Sequence, residues 1–121
     1  MNAERPRLEQ IYKLCRADAW AAAVACGNYT GSADDARDGF IHFSTGAQLA
    51  ETARRHFSSH TGLVLVAFEA ASLGPDLKWE RSRGGEMFPH LYAALPAAKA
   101  LWVKPIELDA GGIPIMPDGV T

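Results

Sequence analysis

The chain is poor in the features that classify a protein at a glance. It has only two cysteines, Cys15 and Cys26, too few for the disulfide frame of a small secreted domain. No charged start followed by an apolar core resembles a signal peptide, so cytoplasm is the expected compartment. No apolar run nears the roughly 20 residues that a membrane-spanning helix needs. An excess of one charge is missing too. The formal net charge is −2, with acids and bases interspersed, which excludes a broad nucleic-acid or anionic-membrane surface and makes any phosphate binding local. There is no internal repeat, no low-complexity block and no Gly-x-Ser-x-Gly nucleophile elbow.

What is present suffices for one domain: 121 residues form a chain that buries roughly two thirds of its unfolded surface without a covalent or metal staple. The pattern predicts an α+β fold, a small mixed or antiparallel sheet with two main helices. It spans residues 11–108, between an N-terminal extension (1–10) and a loosely held tail (109–121). Ile11 to Cys15 reads as an opening strand. Residues 18–26 read as a short helix, with Trp20, Ala23 and Val24 at helical spacing and Gly27-Asn28 as the stop. Residues 27–38 have loop composition. Alternation over 39–43 sends Phe40, His42 and Ser44 to one side and Ile41 and Phe43 to the other. Thr45 and Gln48 make a capping-box pattern for a helix through residue 57.

The valine-rich stretch 63–68 predicts a central strand covered on both faces. A strand over 77–80 and a flexible loop over 81–85 follow. Pro89, lacking an N–H, argues for a strand edge or an ordered loop over 88–92 rather than an interior ladder strand. Residues 101–108 form a last strand broken by Pro105.

The candidate chemistry centres on His42, a proton-transfer group where a strand feeds a capped helix. A core-bonded His42, with Ser44 or Thr45 merely capping, explains the same residues. Lys13 interrupts an apolar strand, and a buried ammonium must reach a carboxylate, a ligand or solvent; Glu80 is a candidate partner, and a strand-edge lysine with its stem on apolar surface and its charge in water is the alternative. Glu80 can also act as base or orient a hydroxyl, with Glu86 a second carboxylate. Arg81 and Arg83 flank glycine-rich backbone and can clamp phosphate. His90 and Tyr92 bring polar groups to an otherwise apolar segment. His56 and His60 lie four apart but lack a third ligand at a recognisable spacing, so no metal site is expected.

Taken in order, Ile11-Tyr12-Lys13, Trp20, Gly31-Ser32, Gly39-Phe40-Ile41-His42-Phe43-Ser44-Thr45, His56-Phe57, Trp79-Glu80 and Phe88-Pro89-His90-Leu91-Tyr92 carry a resemblance. Over residues 10–106 the chain resembles the bacterial domain-of-unknown-function 952 family. That family resembles in turn the ADP-ribosyltransferase-like fold of the RNA 2′-phosphotransferases and mono-ADP-ribosyltransferases. Ile41-His42-Phe43-Ser44 is similar to the His-x-His-hydrophobic-Ser stretch of the former, and Phe43-Ser44-Thr45 to the Ser-Thr-Ser strand of the latter.

The resemblance implies a nucleotide or ADP-ribose-type ligand, with NAD as ligand or substrate and no resident cofactor, in a cleft lined by Lys13, His42, Ser44, Glu80 and His90. His42 and Glu80 would be catalytic; Lys13, Ser44, Thr45, Arg81, Arg83, His90 and Tyr92 would bind ligand. Lys13 stands where those enzymes carry a first-strand Arg or His, and their paired arginines have no counterpart. A non-catalytic small-ligand or partner-binding module is therefore the alternative, with hydrolysis of a small ester or phosphoester by His42 as general base a third option. The sequence encodes no oligomeric state in readable form.

Overall fold

The structure, a computed structural model, describes residues 9–121; most of the expected N-terminal extension lies outside the described residues. In chain order the elements are β1 (Gln10–Arg16), α1 (Ala17–Cys26), β2 (Asn28–Tyr29), α2 (Ala33–Asp38), β3 (Ile41–His42), β4 (Ser44–Thr45), α3 (Gly46–His56), β5 (Leu63–Glu69), β6 (Leu77–Arg81), β7 (Met87–Leu91), β8 (Leu95–Pro96) and β9 (Trp102–Ile106). Their pairings are antiparallel and build three small sheets, β4-β1-β5-β9, β2-β8 and β3-β7-β6. Among the described residues no helix is long and apolar enough to cross a membrane.

β5 organises the interior because its side chains are apolar on both faces. Leu63, Leu65 and Ala67 enter a cluster with Tyr12, Leu14, Leu49 and Ala53. Val66 and Phe68 enter a second cluster with Ile11, Trp20, Tyr29, Ile41, Phe43 and Leu91. Alternation with period two thus makes one strand the floor of two cores. α3 closes the first through Leu49 and Ala53. α1 and the inner face of the three-stranded sheet close the second. α3 starts as its cap pattern predicts: Thr45 Oγ1 accepts from the Gln48 N–H, and the Gln48 side chain accepts from the Thr45 N–H. Gln48 also donates to the Met87 carbonyl, tying the helix to β7. Pro105 falls on β9, the edge strand of its sheet, where a missing N–H costs no ladder bond.

Four expectations need correction. Residues 27–38 are not one loop: they hold β2 and the short helix α2, which begins with a reciprocal Ser32–Asp35 capping box. Val24 is not a core residue and stands 60% exposed on α1. The strand expected over 39–43 is divided between sheets, β3 pairing with β7 and β4 with β1. Ser44 therefore turns away from His42, is buried, and donates to Thr52 on α3.

The fourth correction is that β7, with Pro89 in it, is the middle strand of its sheet. Hydrogen bonds from Tyr92 N–H to Asp76 and from Ser82 N–H to Glu86 set the phase of the β6–β7 ladder. The alternation leaves Trp79–Pro89 as a non-hydrogen-bonded pair, so β6 requires no proline N–H. On the other side Pro89 still accepts from the Phe43 N–H, at the point where the chain leaves β3 for β4. The proline sits where the ladder is already ending.

After residue 108, where a loose tail is expected, the chain makes defined contacts. Leu108 bridges to Pro114, the Ser59 N–H reaches the Gly112 carbonyl, and Met116 and Val120 pack on the Tyr12–Leu49 cluster. The Thr121 N–H donates to Tyr12 Oη, and a Cβ on Gly46 would fall 1.8 Å from the Thr121 carbonyl oxygen. Glycine at that first turn of α3 is what lets the two segments meet.

Truncating the centre of the core tests this packing. Leu65, fully buried, should cost roughly 2–5 kcal/mol when changed to Ala, whereas Val24→Ala should stay within about 0.5 kcal/mol, both by urea unfolding. Similar losses for the two would contradict the two-faced role of β5.

Candidate functional site

A lysine pointing inward from β1 sets the local problem, since its ammonium has to be neutralised where water is scarce. Lys13 is 6% exposed, and its Nζ donates to Asp35 Oδ1 at 3.2 Å, Asp35 Oδ2 at 2.9 Å and the His42 carbonyl at 2.9 Å. Its partner is Asp35, not the candidate Glu80. Asp35 is the buried residue of α2, and its carboxylate also accepts from the Ser32 N–H at 2.9 Å, the His42 N–H at 3.1 Å and His42 Nδ1 at 2.6 Å. Gly31 makes room for it: a Cβ there would lie 2.8 Å from Asp35 Cβ, and φ is +113°.

Burial alone pushes the Asp35 carboxyl up. The bond from His42, the charge of Lys13 and the Ser32 N–H outweigh that and hold it well below the ordinary carboxylate range. Asp38, on the same short helix, bonds His42 Nε2 at 2.9 Å. An ionised carboxylate only accepts, so both ring contacts are hydrogen bonds together only when each nitrogen of His42 carries a proton. Both ring nitrogens of His42 thus face carboxylates of α2.

His90 pairs with His42 across β3 and β7. Their ring centroids lie 5.6 Å apart. The three-stranded sheet turns Ile41, Leu77, Trp79 and Leu91 to the core and, by alternation, His42, Lys78, Glu80, Phe88 and His90 to its outward face. His90 is nonetheless 5% exposed, because Phe40 stacks on it at a centroid distance of 4.0 Å. His90 Nδ1 meets Glu80 Oε1 at 2.8 Å, and Tyr92 Oη donates to the same oxygen at 2.7 Å. These two bonds, that of Tyr92 the stronger influence, hold the Glu80 carboxyl below its usual range, and Glu80 in turn raises the Tyr92 phenol. With Nδ1–H committed to Glu80, Nε2 carries the lone pair whenever the ring is neutral. It has no hydrogen-bond partner among the described residues.

Beside this cluster lies a cavity of about 250 Å³ whose walls include Thr30, Asp35, Phe40, Ile41, Leu91 and Ala94. Neither His42, Glu80 nor His90 lines it; Phe40 is common to cavity and cluster.

Of the residues singled out from the sequence, His42, Glu80, His90 and Tyr92 come together around Phe40, and Lys13 joins them only through Asp35. Ser44 and Thr45 belong to the start of α3. Arg81 donates to the Gly85 carbonyl, and Arg83 donates to Thr52 and lies 5.0 Å over the Phe88 ring. Neither arginine forms a clamp with the histidines. Burial pushes the Cys15 thiol up to about 11, which removes it as a nucleophile at neutral pH. Sequence reasoning missed Asp35 and Phe40. Ser32-x-x-Asp35 was the legible signal for the first, as a capping box written with Asp; nothing in the sequence marked the second beyond its alternation with His42.

A family model described as a protein of unknown function, DUF952, matches residues 14–103. Among solved structures, the crystal structure of protein CC0527 from Caulobacter crescentus is 49% identical, with a TM-score of 0.86, covering 88% of this chain and 93% of that one. The solution structure of CC0527 is 50% identical, with a TM-score of 0.79 and coverages of 87% and 90%. No curated protein matches the chain.

Breaking one side of the buried pair, by Lys13→Met or Asp35→Asn, should destabilise by roughly 3–5 kcal/mol, whereas Lys13→Met with Asp35→Leu should recover a large part of that loss in denaturant titrations. The pH sign follows from the depressed Asp35 carboxyl. Its contribution is complete above the unfolded value of about 3.9 and is lost as pH falls below it toward the folded value. Acid unfolding of Asp35→Asn should accordingly be shallower through that window, and an unchanged acid limb would refute the assignment.

Proposed function

Because the chain belongs to the DUF952 family, a family of unknown function, its activity is to be read from the site, and we propose an enzyme-like binder of a small nucleotide or ADP-ribose-type ligand. The ligand lies over the outward face of the β3-β7-β6 sheet, with His90 as the proton-handling group. The finer fold assignment, ADP-ribosyltransferase-like, and a cytoplasmic location belong to the same proposal. The observation that carries it is the Glu80–His90 pair. A buried imidazole is oriented by a carboxylate on Nδ1 and keeps Nε2 without a hydrogen-bond partner among the described residues, the arrangement that general acid–base chemistry uses.

Each residue's part follows from what it has left to give. Glu80 Oε1 is occupied by His90 and Tyr92, while Oε2 stands ready for a ligand hydroxyl or for positive charge developing at a ribosyl carbon. As the ligand's glycosidic bond breaks and its leaving group departs with the bonding pair, a hydroxyl forms the new bond to that carbon and gives its proton to His90 Nε2, while Tyr92 keeps Glu80 aimed. Lys13 does not fit the adenosine-holding role of a first-strand cation, since its ammonium is spent on Asp35 and the His42 carbonyl. His42 likewise acts on the ligand only through position. This saturation favours, as the second reading, a module that binds without turnover.

Thermal melting with millimolar NAD, ADP-ribose or a 2′-phosphorylated nucleotide should separate the outcomes. A ligand present at 100 times its Kd stabilises by about 2.7 kcal/mol and raises the Tm of the wild type. With turnover, His90→Gln should slow it roughly 10²–10⁴-fold and Glu80→Gln roughly 10²–10³-fold while the variants stay folded. Binding without turnover selects the module, and no Tm change with any of the three compounds overturns the proposal.

A further inference from the structure

The cavity beside Phe40 is not accounted for by the proton-handling cluster, and its lining selects a chemistry. We propose that it is a preformed subsite for an uncharged, flat ring on the ligand. This deepens the preceding functional reading and rests on it for the rest of the ligand.

Apart from Thr30 and Asp35 the lining residues carry no polar side chain. Asp35 offers no charge to a ligand: its two oxygens already accept five hydrogen bonds, two from Lys13, two from the backbone and ring of His42, and one from Ser32. A cation entering here gains no free partner, and an anion meets a carboxylate. Neutral apolar surface is what remains to be matched.

Shape and rigidity agree with that chemistry. One wall is the strand pair Ile41–Leu91, whose side chains turn to the core, and the facing wall is α2, fixed through Asp35 to β1 and β3. Neither has to move, which spares the ordering cost of binding. An apolar cavity of roughly 150 Å³ takes up benzene, so about 250 Å³ admits a substituted single ring or a fused pair. Phe40 supplies the aromatic contact. Its ring is approached by His42, His90 and Tyr92, none of which lines the cavity, whereas Phe40 itself does. A ring seated there is carried by the same residue that covers His90, which joins the two parts of the site.

The test uses rings without ribose or phosphate: indole and phenol titrated to millimolar concentration, with cyclohexanol as a non-aromatic control, followed by amide NMR shifts. Saturable shifts are expected at Gly39, Phe40, Ala93 and Ala94 with the aromatic probes and not with cyclohexanol. Ala36 and Ala94 are exposed lining residues, so Ala36→Leu and Ala94→Leu fill the space without burdening the core and should each abolish the shifts. His90→Gln should keep them. Absence of saturable shifts in the wild type, shifts undiminished in both leucine variants, or equal shifts with cyclohexanol would overturn the subsite. Because the probes lack the groups that His90 and Glu80 would handle, loss of the ring subsite and loss of nucleotide binding are separate results.

Discussion

The contact on which the site depends is the buried salt bridge between Lys13 and Asp35, drawn tight by the backbone and ring of His42. An ammonium on an inner strand is tolerated only with a partner that meets all its protons, and Asp35 with the His42 carbonyl does so. The same carboxylate caps its own helix through Ser32, so one side chain joins β1, α2 and β3. Buried pairs of this kind add little stability over an apolar substitute, yet removing one partner is expensive, which makes them devices for fixing geometry. Here the geometry fixed is a wall of the cavity and the orientation of the sheet face next to it.

That arrangement assigns different work to two histidines that sit side by side. His42 is bonded on both nitrogens to carboxylates of α2 and is a structural clasp. His90, one strand over, has a carboxylate on one nitrogen and no hydrogen-bond partner among the described residues on the other. Both histidines stand out in the sequence, and the structure gives them different partners: His42 is tied to α2, His90 to Glu80 on β6. Membership of a family without an assigned activity leaves this local chemistry as the main guide to function.

Much of the fold was legible because it follows from local rules. The apolar run of β5 and the Thr45–Gln48 cap of α3 each follow from a few adjacent residues, whereas Pro105, expected to break the last strand, lies inside β9. The need of Lys13 for a partner was legible as well, but its identity was not, since Asp35 lies 22 positions away in a stretch that reads as loop. α2 has only six residues and one buried side chain, too little for an apolar period to show. Pro89 in a middle strand was unreadable for a different reason: whether a missing N–H matters depends on ladder phase, which is set by pairing with strands elsewhere in the chain. The switch of residues 41–45 between two sheets, which separates Ser44 from His42, is likewise a tertiary fact.

The division of labour between the two rings can be observed directly by long-range proton–nitrogen NMR of the imidazole side chains at a pH where His90 is neutral. The account predicts that His90 carries its proton on Nδ1, facing Glu80, with Nε2 showing the shift of an unprotonated ring nitrogen. A proton on Nε2 instead, or a mixture of tautomers indifferent to Glu80→Gln, would contradict it.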